Sequence, residues 1–275
     1  MVIKGNVMSR DKGFYEIVAD EKDRIYVNIN YETEDVISRP HYHNAVELNI
    51  VLKGELGCWV DGKKYWAKPG QMFYCNSMNV HFFDIKKGTE TLYFTADTSL
   101  LKDFQNLYAS EAGKPTFPVL LDSVEKNKEI IELIRDWYGN YHTNNTLQNR
   151  GITNLVFGTI AANYEVLHAK ENKNKLFALD ILRYLEEHFK ERLSLERIAK
   201  HFGYSQTSIS RIFHSVIGQD MRSYINMLRA EHVHALLEQN SRITVLEAVY
   251  ASGFENSSSF YRAYSARFHE LPKRK

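Results

Sequence analysis

The sequence predicts two domains of different class: an all-β barrel with accessory helices over residues 1–171, then an all-α domain with two helix-turn-helix units over residues 172–275. Three observations predict it. Short strand-like segments separated by turn signals crowd the chain from Arg24 to about Thr95. Helical periodicity takes over from Ser123. A helix–glycine–helix pattern then occurs twice past Leu193.

The chain has 275 residues, enough for two medium domains. Its 44% hydrophobic and 25% charged residues exclude a disordered or collagen-like chain. There is no run of about 18 uncharged apolar residues, so no spanning helix and no membrane partner are expected. The opening "MVIKGNVMSRDKGFYEI" lacks the apolar core of a secretion signal. With only Cys58 and Cys75 present, a reduced cytoplasmic setting is the expectation, and one disulfide between the two stays open. The net charge of +1 hides an asymmetry. Residues 172–275 hold 16 Lys and Arg against 11 Asp and Glu, and the first 171 hold 19 against 23. A basic end on an acidic body points to a nucleic-acid surface there.

Each element has its own signal. "RIYVNINY" alternates, and "AVELNIVL" is apolar and β-branched. Asp61-Gly62 marks a hairpin, Pro69-Gly70 a turn before the next strand, and "ETLYFT" closes the series. Val7 to Ile17 offers a further edge strand. "SVEKNKEIIELIRDWYGNY" carries Ile130, Ile131, Leu133, Ile134 and Trp137 at helical spacing. "LQNRGITNLVFGTIAANYEVLHAKE" does so with Ile152, Leu155, Val156, Ile160, Tyr164 and Leu167. Few charges lie between Gly151 and Tyr164, so this face reads either as a homodimer interface or as core, and a homodimer is expected. The polar stretch from His168 to Lys175 reads as the linker.

In "LSLERIAKHFGYSQTSISRIFHSVIG", Ser194 caps a helix that ends at Gly203, and Ser205 caps the next. Ala199 is small where the two helices cross. Gln206, Thr207, Ser210, Arg211 and His214 then point away from the core, and their side chains suit bases and phosphates. "ITVLEAVYASGFENSSSFYRAYSARF" repeats the pattern, with a Thr244–Glu247 capping box and Gly253 at the turn. Ser257, Ser258, Tyr261 and Arg262 are left outward. "MRSYINMLRAEHVHALLEQ" joins the units as a stiff helix, which would hold two recognition helices about one DNA turn apart.

The words "LSLERIAKHFGYS", "SRIF", Gly218, "YINMLRAEHVHALL" and "GFENSSSFYRAY" together resemble the AraC/XylS family of transcriptional regulators, from about Leu176 onward. The resemblance implies a duplex-DNA-binding regulator, with RNA polymerase as a partner if it activates. It assigns Thr207, Ser210 and Arg211 to DNA in the first unit, and Ser257, Ser258, Tyr261 and Arg262 in the second. Val249, Tyr264, Ser265 and His269 depart from the family pattern, which weakens the second unit's expected DNA contact.

One stretch remains. In "RPHYHNAVELNIVLKGELG", strand parity puts Arg39, His41, His43, Ala45, Glu47 and Asn49 on one face. Tyr42, Val46, Leu48, Ile50 and Leu52 fall on the other. A polar face inside a small barrel makes a pocket, and Trp59, Tyr65, Trp66 and Tyr74 are candidate walls for a polar, ring-shaped ligand. The segment resembles the first cupin motif, ending at Gly54, and "KPG" with "NSMNVH" resembles part of the second. In metal-binding cupins the equivalents of His41, His43, Glu47 and His81 hold a metal. Next to two DNA-binding units, the same residues are expected to form a metal-free effector pocket for a small molecule such as a sugar. On that reading no enzymatic activity, cofactor or metal is expected, and the protein is a ligand-responsive activator of carbohydrate-related genes. The alternatives are a cupin-type metal-dependent enzyme using those four residues, and a regulator that needs no ligand.

Overall fold

The computed structural model describes residues 23–140, 145–170, 172–239, 242–268 and 271–272. The chain divides into two compact units, Met1–Asn172 and Lys173–Lys275. The Val7–Ile17 edge strand expected from the sequence lies outside the described residues.

The first unit runs β1 (Ile25–Tyr31), β2 (Val36–Ile37), β3 (Ala45–Lys53), β4 (Leu56–Val60), β5 (Lys63–Ala67), β6 (Met72–Cys75), β7 (His81–Ile85) and β8 (Glu90–Asp97). Then follow α1 (Lys102–Leu107), β9 (Lys114–Thr116), β10 (Leu120–Leu121), α2 (Val124–Asn140), α3 (Thr146–Asn163) and β11 (Leu167–Ala169). Two larger antiparallel sheets result, in the orders β1-β8-β3-β6-β10 and β2-β7-β4-β5, beside the two-stranded pair β11-β9. The β4–β5 hairpin turns at Asp61 (φ 45°) and Gly62 (φ 79°). Two positive φ angles in a two-residue loop are the twist-compatible solution that the Asp-Gly pair favours.

β3 is buried on both faces, which explains its dense apolar text. Val46, Leu48 and Ile50 join Leu92 and Phe94 against Ile130 and Ile134 of α2 and Val156, Phe157 and Ile160 of α3. Val51 on the other side joins Leu56, Cys58, Phe73, Cys75 and Phe83 between the two sheets. The helices therefore cover the outside of the barrel, and the polar half of β3 looks in. Gly54 (φ 80°) follows β3, where a Cβ would stand 2.8 Å from the Thr89 backbone. Only glycine fits there.

The helix predicted to run past Leu167 stops at Asn163. Tyr164 leaves the helix in extended conformation, and its hydroxyl donates to Asn127 Oδ1 at 2.8 Å and accepts from the Ser123 backbone N–H at 3.2 Å. Anchored there, the chain carries Leu167–Ala169 into a strand against β9 instead. The expected linker is thus part strand and part helix.

The second unit holds α4 (Lys173–His188), α5 (Leu195–Phe202), α6 (Gln206–Ile217), α7 (Met221–Gln239), α8 (Val245–Ala251) and α9 (Ser257–Phe268). The Ser194 and Ser205 side chains accept from the Arg197 and Ser208 backbone N–H groups, and Gly203 adopts φ 71°. Thr244 and Glu247 form the capping box. Ala230, Val233, Ala248, Val249, Phe254, Phe260 and Tyr264 pack α7, α8 and α9 into one core.

Candidate metal centre and recognition face

His41, His43, Glu47 and His81 come together at one place. Their candidate donor atoms all lie within 4.8 Å of one another. β3 supplies Glu47, and the segment entering it supplies the first two histidines. His81 opens β7, bridged to His41 by paired backbone hydrogen bonds of 2.9 Å. The hairpin turn helps to place it: Asp61 Oδ1 accepts from the Val80 backbone N–H at 3.0 Å, and Asp61 Oδ2 accepts from Asn79 Nδ2.

Each imidazole is oriented the same way. Nδ1 of His41, His43 and His81 lies 2.9 Å from the carbonyl oxygens of Arg39, Ala45 and Asn79 respectively. A carbonyl can only accept, so each Nδ1 carries a proton and each ring turns its Nε2 inward. His43 and His81 Nε2 stand 3.0 and 3.4 Å from Glu47 Oε2. Tyr93 on β8 donates to the same oxygen at 3.1 Å, and Asn49 Nδ2 donates to Glu47 Oε1.

Burial opposes ionisation of Glu47, yet His81 and His43 outweigh it and hold the carboxyl well below the usual carboxylate range. Burial and the neighbouring His41 push His81 down to about 4. Inward-facing Nε2 atoms and a buried carboxylate thus meet at one point, an arrangement that a shared cation suits. Three imidazoles and one carboxylate suit divalent iron, manganese, nickel or zinc. The expectation that the chain has no enzymatic chemistry is corrected here. A buried cluster positioned to coordinate a metal is the composition of a cupin-type catalytic site.

The depressed His81 has a measurable consequence in metal-free protein. The unfolded chain takes up this proton below about pH 6.5 and the folded one only near 4. Stability is therefore full above about pH 6.5 and falls as pH drops through 4, by roughly 3 kcal/mol over that window. Glu47 acts in the same direction. Urea midpoints of chelator-treated protein at pH 7 and pH 4.5 should show the loss.

The aromatic walls are elsewhere. Tyr74 pairs with Leu48 and packs on Phe117 and Phe157, on the helix side of the sheet. Trp59 pairs with Phe82 and stacks on it at 4.5 Å, and Lys64 Nζ lies over both Trp59 and Trp66. These residues alternate with the inward Leu56, Cys58 and Val60, so they stand on the outside of the barrel. The fold does not bring Trp59, Trp66 or Tyr74 to the histidines. Asn49, on the polar face that strand parity predicts, reaches the cluster, as does Tyr93, which the sequence left unassigned. The alternation of Thr91, Tyr93 and Thr95 with Leu92, Phe94 and Ala96 carried that signal. Cys58 and Cys75 are free buried thiols, pushed up by burial.

In the second unit, Gln206, Thr207, Arg211 and His214 are exposed along α6, and Ser210 is half-buried between them. Ser257, Ser258, Tyr261 and Arg262 are exposed along α9. Their inward neighbours Ile209, Ile212, Phe213, Phe260 and Tyr264 are buried. Among the described residues, no helix is long and apolar enough to cross a membrane.

Two family models match the chain, one to each kind of fold. Residues 28–96 match the cupin domain and residues 198–274 the helix-turn-helix domain. The chain thus joins a cupin match in its first unit to a helix-turn-helix match in its second. An uncharacterized HTH-type transcriptional regulator of Staphylococcus aureus is 21% identical over 249 residues, covering 89% of this chain and 33% of its own length. The chain thus spans about a third of the curated relatives it matches first. YdeC of Bacillus subtilis, an uncharacterized HTH-type regulator, is 24% identical over 253 residues and is covered to 84%, as is this chain. Among solved structures, apo ToxT of Vibrio cholerae superposes with a TM-score of 0.49 at 10% identity, covering 92% of this chain and 96% of its own. The cupin match carries the His–Glu cluster and the helix-turn-helix match carries α6.

Proposed function

We propose that this protein is a sequence-specific DNA-binding transcriptional regulator whose cupin domain holds a divalent metal at His41, His43, Glu47 and His81. The observation that carries the DNA reading is the exposed polar face of α6, set on a capped helix–glycine–helix frame. The repeat of that frame in α8 and α9 supports reading them as a second helix-turn-helix unit. Arg211 and Arg262 then occupy matching places on two recognition helices. Work on DNA sets the expected compartment as the cytoplasm.

The metal reading rests on three Nε2 atoms and one carboxylate oxygen converging in a buried site. A divalent cation there supplies Lewis acidity and further positions for an oxygen-bearing small molecule. Such a molecule is the proposed effector. A sugar fits that class, although the stacking rings that favoured one lie on the outside of the barrel. A second reading, cupin-type metal-dependent catalysis, is favoured by the same cluster. Turnover by metal-loaded protein would support it.

A homodimer on paired half-sites is supported by α3, whose Leu147 and Leu155 are 77% and 51% exposed. Activation through RNA polymerase is the proposed output. Replacing Arg211 with alanine tests the DNA reading. It should cost about 1–3 kcal/mol of discrimination between specific and random duplex at fixed salt. Unchanged discrimination would remove α6 as the reading helix.

A further inference from the structure

The inner face of the five-stranded sheet carries a row in register: Tyr26 on β1, Thr95 on β8, Glu47 on β3 and Cys75 on β6. Directly opposed residues on antiparallel strands point to the same face, with Cβ atoms about 5 Å apart. Thr95 therefore stands beside the Glu47 carboxylate, on the side away from Cys75. It is 1% exposed, and its hydroxyl has no hydrogen-bond partner among the described residues.

The surrounding polar groups have partners. Glu47 Oε1 accepts from Asn49, and Oε2 faces His43, His81 and Tyr93. The three Nδ1 atoms are engaged by carbonyls. A valine has the same branching and nearly the same volume, and would suit this strand without leaving a polar atom unpaired. An orphan hydroxyl in such a place calls for a partner that is not part of the protein.

We propose that Thr95 Oγ1 hydrogen-bonds the small exogenous ligand that binds beside Glu47 at the metal centre. This rests on the metal reading above. The ligand is small and presents a hydrogen-bonding oxygen or nitrogen next to the cation, as water, azide or a carboxylate does. Thr95 is then a positioning and specificity residue, which leaves the four metal-binding side chains as they are.

The test uses the full chain loaded with cobalt(II), and azide as the probe. Visible absorption of the bound cobalt reports both steps. Wild type and Thr95→Val should bind cobalt with equal stoichiometry and affinity. Azide should bind Thr95→Val about tenfold more weakly or worse, as expected for loss of a hydrogen bond to a charged ligand. Thr95→Ser should restore the wild-type value. Equal azide affinity in wild type and Thr95→Val would overturn the assignment while leaving the metal reading in place. Loss of cobalt from Thr95→Val would also overturn it, by making Thr95 part of the centre itself. Absence of cobalt binding in wild type would remove both.

Discussion

Replacing Glu47 with glutamine is expected to lower divalent-metal affinity by about 100-fold or more. The carboxylate contributes the anionic donor of the cluster, and its Oε2 sits within 3.4 Å of two Nε2 atoms. Glutamine keeps the volume and can still bond Asn49, so the strand should survive. What disappears is the charge that offsets the cation in a buried site. Tyr93→Phe provides the graded comparison. It removes one hydrogen bond to Oε2 and leaves every donor to the metal intact, so about a tenfold loss is expected. Competition against a chromogenic chelator measures both. Equal affinity for wild type and Glu47→Gln would exclude the cluster as the binding place.

Replacing Arg229 with methionine is expected to destabilise the helical unit by about 2–4 kcal/mol. This side chain is nearly buried on α7, and it donates to the carbonyls of Phe189 at 2.7 Å and Glu191 at 2.8 Å. Those carbonyls lie just beyond the end of α4, where the helix leaves acceptors unpaired and the dipole favours a positive charge. A hydrogen bond from a charged group contributes roughly 1.5–3 kcal/mol, and methionine replaces the stem but neither bond. A lower urea midpoint for the transition of this unit, with the other transition unmoved, is the expected reading. An unchanged midpoint would show that water replaces the guanidinium at no cost.

The barrel was legible because turn chemistry and alternation are local. Asp61-Gly62, Pro69-Gly70 and the parity of β3 name turns and faces without knowledge of the fold. The helical unit was legible for the same reason, since Ser194, Gly203, Ser205 and Thr244 act within a few residues of their own positions. The aromatic wall was not. Trp59, Trp66 and Tyr74 were grouped by residue type, and which side of a sheet becomes the interior depends on what covers it. Here α2 and α3 take the apolar face of β3, which turns its polar face inward and Tyr74 away. The end of α3 was misread because its apolar spacing continues past Tyr164, whereas a hydroxyl held by Asn127 breaks it. The strength of the cluster also exceeded its sequence signal. Three carbonyls that orient three imidazoles come from backbone positions that any residue could occupy.

The segment around Lys190 ties α7 and the α8–α9 turn to the end of α4. Arg229 grips the carbonyls on either side of it, and Gly253 packs so closely that a Cβ would stand 2.5 Å from the Lys190 oxygen. The α8–α9 turn and the α4 terminus are thus spliced to the same few atoms, with α7 between them. If α6 and α9 both enter the major groove, this junction restricts how far α9 can shift relative to α4. An operator with one base pair inserted between their contact sites would present the second site rotated by about 35°, since B-DNA turns once in 10–10.5 base pairs. With α9 held at this junction, part of that twist would fall on the duplex.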